Sequence, residues 1–536
     1  MNWNERSAPA ALAACLALLG SLGWGCGGPA AREAEEPVVR LVVLVSVDQL
    51  PGQLFERYDS LYTGGFRRLL NEGRYYRRAV HDHGETWTSS GHATLSTGRY
   101  PSHHGIVANR WYSWVDDERV RIESVEDGGE ALLGVPGRTG YSPANLEATA
   151  VADWLEASDA GGRVVSISAK PTTAITLTGQ VQGHVYWYED DVGRFVTSTY
   201  YMRQYPGWVE RFNRNALPVL YADTIWECEV PERLRSLARH DSAGYEWDGA
   251  HVAFPHRYHA EVEDRADRRK FYDWWDHTPA LDVATLGLAR AAVDSLALGR
   301  RGSVDYLAIG LSQNDRIGHA FGPNSLEQLD NLLRVDRLLG DFLGHLDRTV
   351  GPGGYVLALS SDHGTPPVPA YAQERGDAGR EPTAEELSAM RRLAREYLAA
   401  GDAASAGDRR ARIVEALEAL DIIADVMTVE ELMREATDSF VALYKRSYYP
   451  NRLAGRLARY GLVVRYQPGT NWSGDATTHG SPYLYDRYVP LILFGAGVTA
   501  GISDEPVRTV DLAPTLAELA GIPYPAEVDG RPLVSR

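Results

Sequence analysis

The sequence predicts a doubly wound α/β fold: a mostly parallel central sheet flanked by helices, with inserted cap segments. Three observations predict it. Apolar, often β-branched runs recur along the chain, several end on an acidic residue, and stretches with leucines at helical spacing separate them. The first run, "VVRLVVLVSVD" (38–48), is apolar on both faces and stops at Asp48. A helix, "GGFRRLLNEG" (64–73), follows and is closed by Gly73. "VDYLAIGLSQND" (304–315) repeats the strand pattern and runs into Asp315, and "GYVLALSSDHG" (354–364) ends on Asp362 and His363. Between them, "SLEQLDNLLRVDRLLGDFLGHL" (325–346) carries leucines at helical spacing. The strand "VPLILFG" (489–495) and the helix "TVDLAPTLAELAG" (509–521) complete the pattern. Acids at the carboxyl ends of parallel strands put a site along that edge of the sheet.

Two segments interrupt this order. Residues 366–470 read as a helical insertion, opened by one capping box (Thr383, Glu386) and continued by another (Thr428, Glu431). The aromatic-rich stretch 184–277 reads as an elaboration over the sheet edge. The catalytic domain is therefore expected to comprise 38–365 and 471–536. Apolar residues make up 44% of the 536 and aromatics 10%, enough for a large core. The net charge of −18 argues against nucleic acid as a partner, because a phosphate backbone needs a basic stripe. It does not exclude small phosphorylated substrates, since a bound metal ion can overrule the global field.

The amino terminus reads as an export signal. Residues 1–26 contain Arg6, the apolar run "APAALAACLALLGSLGWG", too short for a membrane span, and then Cys26. Cys26 followed by the small and acidic tether 27–37 resembles a bacterial lipoprotein box, with Gly23 where a leucine is usual. An exported chain, periplasmic or lipid-anchored through Cys26, is expected; ordinary signal cleavage nearby is the alternative. Only Cys228 lies in the body, so no disulfide joins two body cysteines. The sequence is compatible with a monomer.

Six residues stand out as ligands. Asp48, Asp315, Asp362, His319 and His363 fall at expected strand ends or in the loops after them, and His479 in a Gly/Ser-rich loop just before the last strand. Singly, each is an ordinary loop acid or surface histidine. Together, three carboxylates and three imidazoles on one edge can hold two metal ions, a donor set that suits Zn²⁺, with Mn²⁺, Mg²⁺ or Fe as alternatives. A metal pair also gives a purpose to the hydroxyl-rich "TWTSSGH" (86–92): it can activate one hydroxyl for in-line attack at phosphorus. Otherwise that run is a loop solvating itself. His92 reads as a packed or outer-shell residue, and His81, His83, His103 and His104 as structural.

The chain is similar to the alkaline phosphatase superfamily, in the threonine-nucleophile branch typified by the phosphate-irrepressible bacterial alkaline phosphatases. The resemblance covers about residues 40–536. It rests on "VSVDQL", "TWTSSGHATLSTGRYPSHHGIVANRWY", "SISAK", "DRIGHAFGP", "SSDHG" and "THGSPYLYD". It implies an alkaline-phosphatase-like fold and places the nucleophile on Thr88. Asn109, twenty-one residues on, would bond a phosphoryl oxygen, and Lys170 would offset the charge of a monoester dianion. One metal would be held by Asp315, His319 and His479, the other by Asp48, Asp362, His363 and the Thr88 oxygen. The family's arginine two residues after the lysine is Thr172 here, and threonine cannot replace a bidentate guanidinium. The implied activity is phosphate monoester hydrolysis through a phosphothreonine. The alternatives are a phosphodiesterase or nucleotide pyrophosphatase on the same scaffold, and a non-catalytic surface binding protein. Ser90 and His92 occupy the positions where a sulfatase needs proline and arginine, which sets that activity aside.

Overall fold

The computed structural model describes residues 39–115, 118–158, 161–246, 253–400, 406–436 and 438–534. The expected export signal (1–26), Cys26 and the tether (27–37) lie outside the described residues. Nine strands make the central sheet: β1 (Leu41–Val47), β2 (Arg74–Val80), β3 (Val164–Ser168), β4 (His184–Glu189), β5 (Arg194–Val196), β6 (Asp305–Leu311), β7 (Tyr355–Ser360), β8 (Tyr488–Gly495) and β9 (Gly501–Arg508). Their order is β9-β2-β8-β7-β1-β6-β3-β4-β5. β1 lies at the centre, parallel to β6 and β7, with Leu41 opposite both Asp305 and Tyr355. β3 and β4 continue the parallel set, while β8 runs antiparallel to both β7 and β2. The antiparallel pairs stay at the flanks. The first part of the aromatic-rich stretch supplies β4 and β5, so it is sheet rather than cover.

Every residue of β1 and β6 is buried, as apolar patterning on both faces requires. Five helices matter for the site: α1 (Gly65–Glu72), α2 (Thr88–Thr97), α3 (Gln313–Phe321), α4 (Leu326–Thr349) and α5 (Leu512–Ala520). Leu41, Val43 and Val45 of β1 share a core with Leu329, Leu332, Leu339 and Phe342 of α4. Val42 and Leu44, on the other face, share one with Leu512, Leu516 and Leu519 of α5. Helices thus cover both faces of the sheet.

Between β7 and β8 the chain forms helices Ala384–Ala399 and Ala406–Glu418 and an antiparallel pair, Ile423–Thr428 with Leu462–Tyr466. Both capping boxes form: Thr383 Oγ1 accepts from Glu386 N–H at 3.1 Å and Thr428 Oγ1 from Glu431 N–H at 3.2 Å. These elements bury a core of their own around Leu393, Leu417 and Leu462. Among the described residues, no helix is long and apolar enough to cross a membrane.

Helix α1 has no local cap, because Gly64 precedes it. Asp336 of α4 caps it from outside, accepting from Thr63 N–H and Gly64 N–H at 2.7 Å and from Phe66 N–H at 2.8 Å. A Cβ on Gly64 would lie 2.4 Å from the Asp336 carbonyl oxygen, so glycine is what allows the close approach. Asp336→Ala leaves these donors without their buried carboxylate and is expected to cost about 3 kcal/mol of stability. A urea midpoint shift measures it; an unchanged midpoint would contradict the capping role.

Candidate active site

The carboxyl edge of the sheet gathers all nine residues singled out above. Asp48 follows β1, and Asp362 and His363 follow β7. Asp315 and His319 sit in helix α3, one turn apart on the same side, rather than at a strand end. His479 stands in the loop before β8. Lys170 is the residue before the helix Pro171–Thr176. Thr88 is the first residue of α2, so much of the hydroxyl-rich run is helix rather than loop. Ser90 holds that turn, accepting from Trp87 N–H at 3.3 Å and donating to the Glu85 carbonyl at 3.0 Å. Gly91 lies where a Cβ would meet the Asp362 carbonyl oxygen at 2.1 Å, so the helix packs directly onto the Asp362 loop.

Three side chains converge at each of two points. Asp315, His363 and His479 form one group; Asp48, Asp362 and His363 form the other. His363 is common to both: its Nε2 lies 3.3 Å from Asp362 Oδ2 and 3.6 Å from Asp48 Oδ1, and its ring stacks on His479 at 3.6 Å. His319 approaches from outside the first group, with Nε2 3.2 Å from Asp315 Oδ1. The resemblance had divided the six ligands differently, with His363 in one set only.

Each imidazole is oriented in the same way. Nδ1 of His319 donates to the Thr477 carbonyl at 2.9 Å, that of His363 to Gly364 at 3.0 Å, and that of His479 to Thr86 at 2.8 Å. This leaves all three Nε2 lone pairs facing the carboxylates, the arrangement metal-binding histidines adopt. Burial lowers His363 to about 3, and burial with the neighbouring His363 and His319 holds His479 well below the usual histidine range. Neutral imidazole is the ligating form. Burial, reinforced by Asp48, pushes Asp362 well up. Burial would also raise Asp315, but Lys170 and His319 overcome it and hold that carboxyl well down. Asp48 Oδ1 and Asp362 Oδ2 are buried with no hydrogen-bond donor. Orphaned carboxylate oxygens facing imidazole lone pairs fit divalent metal ions of mixed N/O preference.

Around this centre stand the remaining groups. Thr88 Oγ1 lies 3.5 Å from His363 Nε2. Asn109 Oδ1 accepts from Ser89 N–H at 2.8 Å, which leaves its amide nitrogen to serve as a donor. Lys170 Nζ contacts Asp48 Oδ2 at 2.7 Å and also reaches Asp315 Oδ2. Burial would lower this lysine, but the two carboxylates overcome it and keep it charged. One participant, Gln49, carries no mark in the sequence. Gln49, at φ +56°, donates from its side chain to Asp315 Oδ1 at 2.6 Å and from its backbone to Asp362 Oδ1 at 3.1 Å. His92 donates from Nδ1 to the Thr88 carbonyl at 2.8 Å, with Asp362 Oδ2 at 3.3 Å, which gives its outer-shell reading a definite form. His81, His83 and His104 are buried, and His103 pairs with Asp529 at 2.8 Å.

Comparison with known proteins adds to this geometry. The sequence model of the "Type I phosphodiesterase / nucleotide pyrophosphatase" family matches residues 42–481. The chain is 32% identical to alkaline phosphatase PafA of Elizabethkingia meningoseptica, over 93% of this chain and 94% of that one. It is 30% identical to alkaline phosphatase PhoV of Synechococcus elongatus, over 92% of each. The crystal structure of wild-type PafA superposes with a TM-score of 0.83 at 28% identity, covering 93% of this chain and 98% of that one.

Proposed function

Because the chain belongs to the type I phosphodiesterase / nucleotide pyrophosphatase family of the alkaline phosphatase superfamily, we propose that it is a metal-dependent phosphate monoester hydrolase working through a phosphothreonine at Thr88. The observation that carries this reading is the place of the Thr88 hydroxyl, 3.5 Å from the imidazole shared by two carboxylate–histidine groups. Two divalent metal ions, zinc by the donor set, held by Asp315, His319 and His479 and by Asp48, Asp362 and His363, would supply the positive charge that acidifies a hydroxyl and offsets a leaving oxygen.

The chain's own groups do the rest. Thr88 Oγ1 attacks phosphorus in line and loses its proton, the P–O bond to the alcohol breaks, and water later splits the phosphothreonine with release of phosphate. Asn109 donates its free amide N–H to a non-bridging oxygen. Lys170 supplies the cation that a monoester dianion needs and a diester monoanion does not. His92 and Ser90 hold the turn that aims Thr88. The reading also places the enzyme outside the cytoplasm, exported or lipid-anchored through Cys26, with small phosphorylated molecules as substrates.

Diester hydrolysis is the second reading, and Thr172 favours it: half-buried where the resemblance expects an arginine, it cannot supply that arginine's bidentate guanidinium. The kcat/KM ratio for p-nitrophenyl phosphate over bis-p-nitrophenyl phosphate, on metal-replete protein, separates the two. A ratio above one is expected, and Lys170→Ala should lower it roughly 10–100-fold, the scale of one strong charge-assisted contact. A diester preference in the wild type would overturn the monoesterase reading.

A further inference from the structure

Beside the stacked imidazoles lies an aromatic shelf that the chemistry above leaves unused. Trp87, the residue before Thr88, holds its ring 5.5 Å from His479 and 5.7 Å from Trp472. Tyr466 stacks along Trp472 at 6.5 Å with 28° between the rings, and the Arg456 guanidinium stands 4.9 Å from the indole centre. Both tryptophans keep part of their surface open to solvent, although each is large enough to help fill a core.

The shelf is held firmly. Glu85 accepts the Trp87 indole N–H at 2.6 Å. Gly480 has φ +101°, and a Cβ there would lie 2.7 Å from Trp87 Cζ2, so the ring rests on bare main chain. The Asn471 amide donates to the Asp475 carbonyl at 2.6 Å, and Ala476 N–H donates to the His319 carbonyl at 2.9 Å. The Trp472 loop is therefore tied to the helix that carries Asp315 and His319. A shelf fixed before binding spends little ordering entropy on a ligand.

A monoester's only group beyond the phosphoryl is its leaving alcohol. In-line displacement puts the leaving oxygen on the side of phosphorus away from Thr88 Oγ1. The imidazoles are linked neighbour to neighbour: His363 lies 3.5 Å from Thr88 Oγ1, His479 stacks on His363, and the His319 ring is 5.2 Å from that of His479. The Trp472 loop meets this set at His319, where the Asp475 carboxylate lies 3.8 Å from Nδ1.

We propose that Trp472, with Trp87 and Arg456, is a leaving-group subsite for planar aromatic alcohols: the ring of an aryl phosphate or the base of a nucleoside monophosphate. This rests on the monoesterase reading and names the substrate class it favours. The indole offers stacking, and the guanidinium 4.9 Å from its centre strengthens the hold on a π-system.

Two ratios test it. One is kcat/KM for phenyl phosphate over ethyl phosphate; the other is a nucleoside 5′-monophosphate over ribose 5-phosphate. Trp472→Ala should lower at least one of them about tenfold, the scale of a single stacking contact. The ratio that falls identifies the aromatic group, and Trp472→Phe should retain most of it. If neither ratio changes, or if Trp472→Phe loses as much as Trp472→Ala, the subsite is overturned. If the wild-type chain hydrolyses no monoester, the parent reading fails by itself. Calorimetric affinity for phenylphosphonate over ethylphosphonate then reads the subsite without turnover, and Trp472→Ala should remove the preference. An absent preference in the wild type overturns the proposal.

Discussion

Thr88→Ala is expected to lower kcat/KM for a phosphate monoester by about 10⁴-fold or more, the loss that follows removal of a covalent nucleophile. The fold should survive it. Alanine is the best helix former, Thr88 opens α2, and the Thr88 carbonyl that His92 binds is main chain. The activity lost is then chemical, with an unchanged far-ultraviolet spectrum as control. Thr86 provides the internal comparison. Its hydroxyl is spent on the Ser481 carbonyl at 3.0 Å, and its main-chain oxygen, not its side chain, orients His479. Thr86→Ala should therefore stay within about tenfold of the wild type, the cost of one buried hydrogen bond. An inactive Thr86→Ala beside an active Thr88→Ala would move the nucleophile.

His363→Ala is the second large effect. This imidazole belongs to both convergent groups, so its removal takes one donor from each, while Thr88 loses the ring beside it. Metal content after dialysis, measured by plasma mass spectrometry, should fall for both ions. The activity loss should exceed the roughly 10–100-fold that removal of an outer partner costs. His319→Ala is the contrast: that ring touches only the group around Asp315, so the ion beside Asp48 and Asp362 should remain. Full retention of both ions in His363→Ala would contradict the shared role.

Much of this site is legible in the sequence. Runs apolar on both faces could only be central strands, and Asp48, Asp362 and His363 end such runs, so the sheet itself delivers them to one edge. The Asp315–His319 spacing matched one helical turn, although the reading ended a strand where helix α3 had already begun. His479 followed from a glycine-bounded loop before a strand. What the sequence did not carry is through-space geometry. Nothing local marks His363 as the member common to both groups, because His479 comes to stack on it from more than a hundred residues away. Gln49 carries no mark because a positive φ in a non-glycine residue leaves no sequence trace, yet its amide reaches Asp315 from that turn. The hydroxyl-rich run read as loop because serine and threonine favour turns; Ser90 instead uses its hydroxyl to start the helix. Asp336 is unmarked for the same kind of reason, since its capping partners lie some 270 residues earlier.

The central claim is a covalent phosphoryl group on one hydroxyl among four neighbours. Acid quenching of metal-replete protein during turnover of a monoester, followed by peptide mass spectrometry across residues 86–90, tests it most directly. The account predicts a phosphoryl adduct on Thr88 that is absent from Thr88→Ala. An adduct on Thr86, Ser89 or Ser90 would contradict it.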